Sequence, residues 1–343
     1  MQGVILAGGE GTRLRPLTHT RPKPLVPIAG RACIDYVIGS LVSAGIDDIV
    51  VTTGYLSEQL VRSVGGGARQ GAAVLYSFED VPLGTAGAVR KVASFLQDTF
   101  VVASGDVLAD VDLRRLLEFH RKRKALATLA LTQVSDPTQF GIVGTDADGR
   151  ILRFVEKPTK EQVFSNRINA GIYVLEPQVL EQIPPETKFD FAKQVFPALL
   201  AQGDALFGMP IEGLWMDIGR PADLLRANAD MTARLAAQGN VLTHSPIAPA
   251  TLSGACYVGH SVILGPCTLR ATVVYDDVSI GSGAIVEDSL LLEGARVGAD
   301  ARVRNSILGE GVALKPGAVV DNAVIGDGVT ITGEVRNAKV PSD

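Results

Sequence analysis

The chain has 343 residues, 46% of them hydrophobic and 20% charged, with a formal net charge of -5. That length suits about two domains with ample core, and the mild acidity argues against nucleic acid as the main partner. No apolar stretch approaches membrane-spanning length and no leader-like segment precedes the first strand, so the expected setting is the cytoplasm, with no membrane contact. Cys33, Cys256 and Cys267 are odd in number and lack a C-x-x-C pair; they read as small buried hydrophobes, implying neither a disulfide framework nor a zinc site.

The first predicted element is a buried strand over 3–7 that runs into Gly8-Gly9-Glu10-Gly11-Thr12-Arg13. Glycine leaves main-chain N–H groups open to close approach by an anion, so the turn is a candidate phosphate cradle. Arg13 and Lys23, the latter in Arg21-Pro22-Lys23-Pro24, add a guanidinium fork and a compact ammonium charge. No Gly-Lys-Ser/Thr closes the loop and the G-x-G-x-x-G spacing is missing, which excludes the two commonest phosphate loops.

Strands over 49–53, 73–76, 99–104, 127–132 and 171–175 then alternate with helices over 34–44, 57–64, 86–95, 113–124 and 221–237. This alternation predicts an α/β domain with a largely parallel, doubly covered sheet whose ligands sit beyond the strand carboxyl ends. The basic face of 114–124 reads as a solvated helix surface in so acidic a chain. Glu79 and the loop Pro82-Leu83-Gly84-Thr85-Ala86-Gly87 open a helix, offering backbone donors at its N-terminus. A strand ending in Ser104-Gly105-Asp106 delivers a carboxylate to its carboxyl end; beside phosphate oxygens that charge calls for an intervening cation, and hard oxygen donors suit magnesium. Asp110 and Asp112 read as caps of the next helix.

After Asn240 the helical patterns stop. Aliphatic residues followed by glycine recur at Val258, Leu264, Ile280, Val297, Leu308 and Ile325, at separations that fit degenerate hexapeptide rungs with occasional deletions. A parallel β-helix follows, with aliphatic side chains inward and small residues at the corners. The expected division is 1–239 for the first domain, 240–250 as linker and 251–340 for the repeats, whose stacked coils offer faces for pairing into a homo-oligomer.

The run of Gly8, Gly9, Gly11, Thr12, Arg13, Leu14, Pro16, Leu17, Thr18, Pro22, Lys23, Pro24 and Pro27 resembles the signature of the sugar-1-phosphate nucleotidylyltransferases. The resemblance implies a Rossmann-like nucleotidyltransferase domain followed by a left-handed parallel β-helix, acting on a nucleoside triphosphate and a sugar 1-phosphate with Mg2+. It assigns Arg13, Lys23 and Lys157 to catalysis. Leu6, Ala7, Gly8, Gly9, Gly11, Thr12, Glu79, Leu83, Gly84, Thr85, Ser104 and Gly105 would bind nucleotide. Gly141, Glu156, Lys157 and Asn169 would hold the sugar phosphate. Asp106, with Asp217 of Trp215-Met216-Asp217-Ile218-Gly219, would hold the metal.

Several stretches, among them 82–87, 166–175 and 215–219, are most similar to the mannose-1-phosphate guanylyltransferase branch, which implies GTP and mannose 1-phosphate as substrates. Glucose-1-phosphate uridylyl- and thymidylyltransferases share much of the pattern. Two other readings stand beside it: an acetyltransferase tail using His260, the one histidine within the repeats, and a regulatory subunit that senses NDP-sugar. Ala32, Ala192 and Gln194 depart from residues common in relatives.

Overall fold

The computed structural model describes residues 1–341. The chain forms two compact units, one of Met1–Gly9 with Cys33–Trp215 and one of Glu10–Ala32 with Met216–Asp343.

The first unit is built on a mixed sheet. Strands β1 (Gln2–Ala7), β2 (Asp48–Thr53), β3 (Ala73–Phe78) and β4 (Phe100–Ser104) are mutually parallel in the order β4-β1-β2-β3. β1, β2 and β4 read as continuous apolar runs because they are covered on both faces, whereas the outermost strand β3 leaves Leu75 and Phe78 exposed. Val4 and Val102 pack with Ala86 and Val89 of helix α3 (Gly84–Lys91). The neighbouring Gly3 points the other way, towards Leu41 of α1 (Cys33–Ser43) and Ile46, as the alternation of a strand requires. β5 (Val107–Val111) lies outside this sheet; beyond β4 the sheet continues with β6 (Ala127–Gln133), β7 (Gly141–Thr145), β8 (Ile151–Glu156), β9 (Arg167–Leu175) and β10 (Leu206–Pro210). Here β9 enters antiparallel against β4 and β6, β7 pairs antiparallel with β8, and β10 runs parallel to β6. Phe100, Phe191 and Phe196 are fully buried; each contributes roughly 1.5–3 kcal/mol of hydrophobic stabilisation.

The predicted helices over 57–64 and 221–237 coincide with α2 (Ser57–Val64) and α6 (Pro221–Ala237). The one expected over 86–95 instead begins at Gly84, ends at Lys91 and continues as a separate short turn, Ala93–Phe95. A wide helical turn, Phe191–Val195, leads into a helix that the patterning did not suggest, α5 (Phe196–Gln202).

The second unit contains the β-helix. Three parallel sheets stack Thr251–Ser253 up to Glu334–Arg336, Tyr257–Val258 up to Lys339–Val340, and Ile263–Leu264 up to Thr330–Ile331. Leu269, Val286, Val303 and Val320 form one inward column, at most 1% exposed. Equivalent corners are 17 positions apart, one short of three six-residue rungs, up to the last coil, where Asn322 and Asn337 are 15 apart. The corners hold left-handed backbone: Asn305, Asn322 and Asn337 have φ of 44°, 48° and 49°, a conformation asparagine tolerates better than most residues. Their side chains form a ladder, Asn305 Nδ2 donating to Asn322 Oδ1 at 3.0 Å and Asn322 Nδ2 to Asn337 Oδ1 at 2.7 Å. Residues 242–244 already pair with the first coil, Val258 N–H donating to Leu242 O and His244 N–H to Val258 O, each at 2.8 Å.

Candidate active site

Within the first unit, β1 ends at Gly8 and Gly9. A Cβ at Gly8 would lie 3.2 Å from Glu79 Oε1, whereas one at Gly9 would meet open space. Glu79 Oε2 accepts the Leu83 N–H at 2.9 Å. Burial pushes the Glu79 carboxyl above its usual range, against the pull of the Leu83 N–H and the nearby Lys91 charge. The loop carrying Leu83, Gly84 and Thr85 is tied to the segment after Glu186. Gly84 has φ of +72°, and a Cβ there would stand 2.6 Å from Phe189 O, so glycine is required on two counts.

The open helix N-terminus expected from the sequence is only partly available. Ala86 and Gly87 donate their N–H groups to Phe189 O at 2.9 and 3.1 Å, while Thr85 Oγ1 donates to Asp190 Oδ1 and accepts from Phe191 N–H. These first-turn groups find protein partners, as buried donors must.

Ser104 lies opposite Leu6 in register, and Gly105 N–H donates to Leu6 O at 2.8 Å. A Cβ at Gly105 would come within 2.8 Å of Ile5 Cγ2, so glycine sets the close approach that brings Asp106 to the carboxyl end of β4. Gly141 pairs with Glu156, and a Cβ on Gly141 would press 2.8 Å from Glu156 Oε2. Burial raises the Glu156 carboxyl; Lys157 pulls it down and Asp190 pushes it up. Lys157 itself has φ of 48°, a strained state for a long side chain that the surroundings must hold in place. Asn169 Nδ2 donates to Tyr173 Oη at 3.0 Å, and Asn169 Oδ1 accepts Gly171 N–H at 2.9 Å; burial strongly raises the Tyr173 hydroxyl pKa. The register shift in β9 between Asn169 and Tyr173 turns this part of the strand.

Asp190 is a residue the sequence reasoning missed. It joins Thr85 of the glycine loop and bears on Glu156, although its segment carries no recognisable pattern beyond Ala192 and Gln194. Trp215 is anchored in this unit, its Nε1 donating to Ala170 O at 2.8 Å and its ring meeting Phe140 edge-on at 6.1 Å.

Within the second unit, Gly11 (φ +63°) turns the loop so that a Cβ would strike Lys23 Cβ at 2.9 Å, and Thr18 Oγ1 donates to Gly11 O at 2.8 Å. Lys23 is only 6% exposed; its Nζ donates to Asp217 Oδ1 at 3.3 Å. Arg13, half exposed, reaches Asp217 Oδ2 at 3.7 Å. Two cations therefore share one carboxylate. Gly219 makes room, since a Cβ there would sit 2.8 Å from Asp217 Oδ2 and 3.0 Å from Arg13 Nη1. Thr12 heads a short turn, Thr12–Leu14, entered through Gly11.

The chain belongs to the nucleotidyl transferase family, whose pattern matches residues 2–234. Residues 238–340 match the GMPPB C-terminal domain. Among similar proteins is the mannose-1-phosphate guanylyltransferase of Mycobacterium tuberculosis, 38% identical over 84% of this chain and 83% of that one. A UTP-glucose-1-phosphate uridylyltransferase of Synechocystis is 32% identical over 86% and 84%. The catalytic beta subunit of a Drosophila pseudoobscura mannose-1-phosphate guanylyltransferase is 40% identical over 65% of this chain and 60% of its own length. A Bacillus anthracis crystal structure assigned as a glucose-1-phosphate thymidylyltransferase, in complex with sucrose, superposes with a TM-score of 0.61 at 30% identity, covering 67% of this chain and 94% of that one. Among the described residues no helix is long and apolar enough to cross a membrane.

Proposed function

We propose that the protein transfers a guanylyl group from GTP to mannose 1-phosphate, giving GDP-mannose and pyrophosphate. The observation that carries this reading is the 38% identity to a mannose-1-phosphate guanylyltransferase across most of both chains, joined to a buried Lys23 and Arg13 gathered on Asp217. In the reaction, an oxygen of the sugar phosphate attacks the α-phosphorus of GTP; a new phosphorus–oxygen bond forms as the bond to the pyrophosphate oxygen breaks. Positioning and charge neutralisation then supply the catalysis, with no covalent enzyme intermediate. Lys23 and Arg13 neutralise the triphosphate and the departing pyrophosphate, and Lys157 aligns the sugar phosphate. Glu156 and Asn169 bind sugar hydroxyls. The turn from Leu6 through Gly8, Gly9, Gly11 and Thr12 cradles phosphates, and Glu79, Leu83, Gly84, Thr85, Ser104 and Gly105 surround base and ribose.

Asp106 and Asp217 are the proposed magnesium carboxylates. Among the described residues no cluster of three or more protein ligands forms, and two carboxylates suit an ion that takes its remaining oxygens from phosphates and water. Bound there, magnesium would withdraw charge from the α-phosphate. We place the enzyme in the cytoplasm, with residues 1–239 as its catalytic domain and 251–340 pairing protomers into a homo-oligomer.

A second reading, uridylyl or thymidylyl transfer to glucose 1-phosphate, is favoured by the Synechocystis and Bacillus anthracis relatives. Pyrophosphate release measured for GTP, UTP, dTTP, ATP and CTP against mannose, glucose and N-acetylglucosamine 1-phosphates separates the two. The highest kcat/KM is expected for GTP with mannose 1-phosphate; a maximum at UTP or dTTP with glucose 1-phosphate selects the second reading.

A further inference from the structure

The loop that carries Arg13 and Lys23 belongs to the same compact unit as the β-helix. Its contacts concentrate on one column of corners, where Asp276, Glu293, Glu310 and Asp327 succeed one another coil by coil. The Arg21 guanidinium, only 11% exposed, pairs with Glu310, and Thr20 Oγ1 donates to Asp327 Oδ2. Asp327 is itself fixed, because its Oδ1 accepts the Glu310 N–H at 2.7 Å and a Cβ on Gly309 would lie 2.4 Å from that oxygen. Lys339, in the last coil, donates from Nζ to Arg13 O at 3.2 Å. The far end of the loop is held as well, with Gly30 N–H donating to Tyr275 Oη at 3.1 Å and Ala29 N–H to Asn228 Oδ1 at 2.9 Å.

Pro22, the single residue between Arg21 and Lys23, has its φ locked by its ring, and Pro24 restricts Lys23 as the residue before a proline. A shift of Arg21 is therefore passed to Lys23 with little slack. Carboxylates stacked at 17-residue intervals repel one another, and burial together with Glu310, Asp277 and Asp276 pushes the Glu293 carboxyl up while Arg21 draws it down. The column gains from a cation, and the loop supplies one.

We propose that this acidic corner column positions the phosphate-binding loop for turnover, with Arg21 as the positioning residue that engages it through Glu310. The β-helix is then a working part of the triphosphate site as well as a module for assembly. The inference rests on the guanylyl-transfer reading of that site.

The test uses the full chain and the single variants Arg21→Gln and Glu310→Gln beside the double reversal Arg21→Glu with Glu310→Arg. Displacement of a binding group by about 1 Å can lower turnover on the order of 100-fold. Arg21→Gln should thus lose about 10- to 100-fold in kcat/KM for GTP. Its KM for mannose 1-phosphate should stay within about twofold, with an unchanged melting temperature, and the double reversal should recover most of the loss. GTP affinity by equilibrium dialysis gives a readout that needs no turnover, and there Arg21→Gln should bind about tenfold more weakly. Wild-type GTP affinity in Arg21→Gln, an equal loss for both substrates, or a reversal no better than the single variants overturns the inference. If the wild type binds GTP yet releases no pyrophosphate with any sugar phosphate, the functional reading fails, and the dialysis comparison still decides the role of Arg21.

Discussion

The two units use the same unusual backbone for different ends. In the β-helix, left-handed residues recur coil by coil at Asn305, Asn322 and Asn337, where a ladder of side-chain amides and a polar, turn-forming residue type accommodate them. In the sheet-based unit the same state falls on Leu56, Lys124, Lys157 and Glu186 with no regular spacing, and Lys157 adopts it beside the half-buried Glu156, with a side chain ill suited to it. Positive φ on period is architecture; off period, on a long charged side chain such as Lys157, it is local strain that the surroundings hold in place. Glycines sort likewise. Gly309 gives a coil corner room for the Asp327 carboxylate, whereas Gly84, Gly105 and Gly219 make room for groups around the candidate site.

Four substitutions probe this contrast. Lys23→Ala removes a buried cation from beside Asp217 and should lower kcat by roughly 1000-fold, with a near-wild-type circular dichroism spectrum; turnover within tenfold of wild type would remove Lys23 from the mechanism. Lys157→Gly relieves the backbone strain but deletes the charge. Its melting temperature should be no lower than wild type while kcat/KM for the sugar phosphate falls about 100-fold, and a loss of stability would show that the left-handed state there costs nothing. Asn322→Ala breaks two rungs of the amide ladder at a corner; it should cost roughly 1–2 kcal/mol by denaturant titration and leave turnover within about twofold.

Glu156→Gln is the mildest. Because burial raises the native carboxyl above its ordinary value of about 4.5, the folded state binds that proton more tightly than the unfolded chain. The associated stability is present below about pH 4.5 and lost as pH rises through the native pKa. The variant should therefore gain melting temperature relative to wild type at pH 8 and not at pH 4, and an equal shift at both pH values would contradict the burial argument.

Much of this was legible beforehand. The strands of the parallel half are uninterrupted apolar runs, and α2 and α6 lie where their periodicity put them. The turn at Gly8 to Arg13 and the Pro22-Lys23-Pro24 brace are local patterns that one sequence carries in full. What escaped depends on partners distant in the chain. Strand β7 is short and buried at three successive positions, and β8 exposes Leu152 beside Arg153, so neither alternates cleanly; α5 begins behind a wide turn that breaks helical periodicity. The helix start at Gly84 reads as open until Phe189 O is found on its N–H groups. Asp190 and Arg21 look like ordinary surface charges until Thr85 and Glu310 meet them. Nothing local announces that residues 10–32 pack with the second unit.

The most direct test of the central claim is the reverse reaction. Pyrophosphate is added to GDP-mannose, GDP-glucose, UDP-glucose and dTDP-glucose in turn, and nucleoside triphosphate formation is followed by chromatography with and without Mg2+. The account predicts GTP from GDP-mannose at the highest kcat/KM, dependent on magnesium and abolished in Lys23→Ala. Failure to form a triphosphate from any of the four would contradict it.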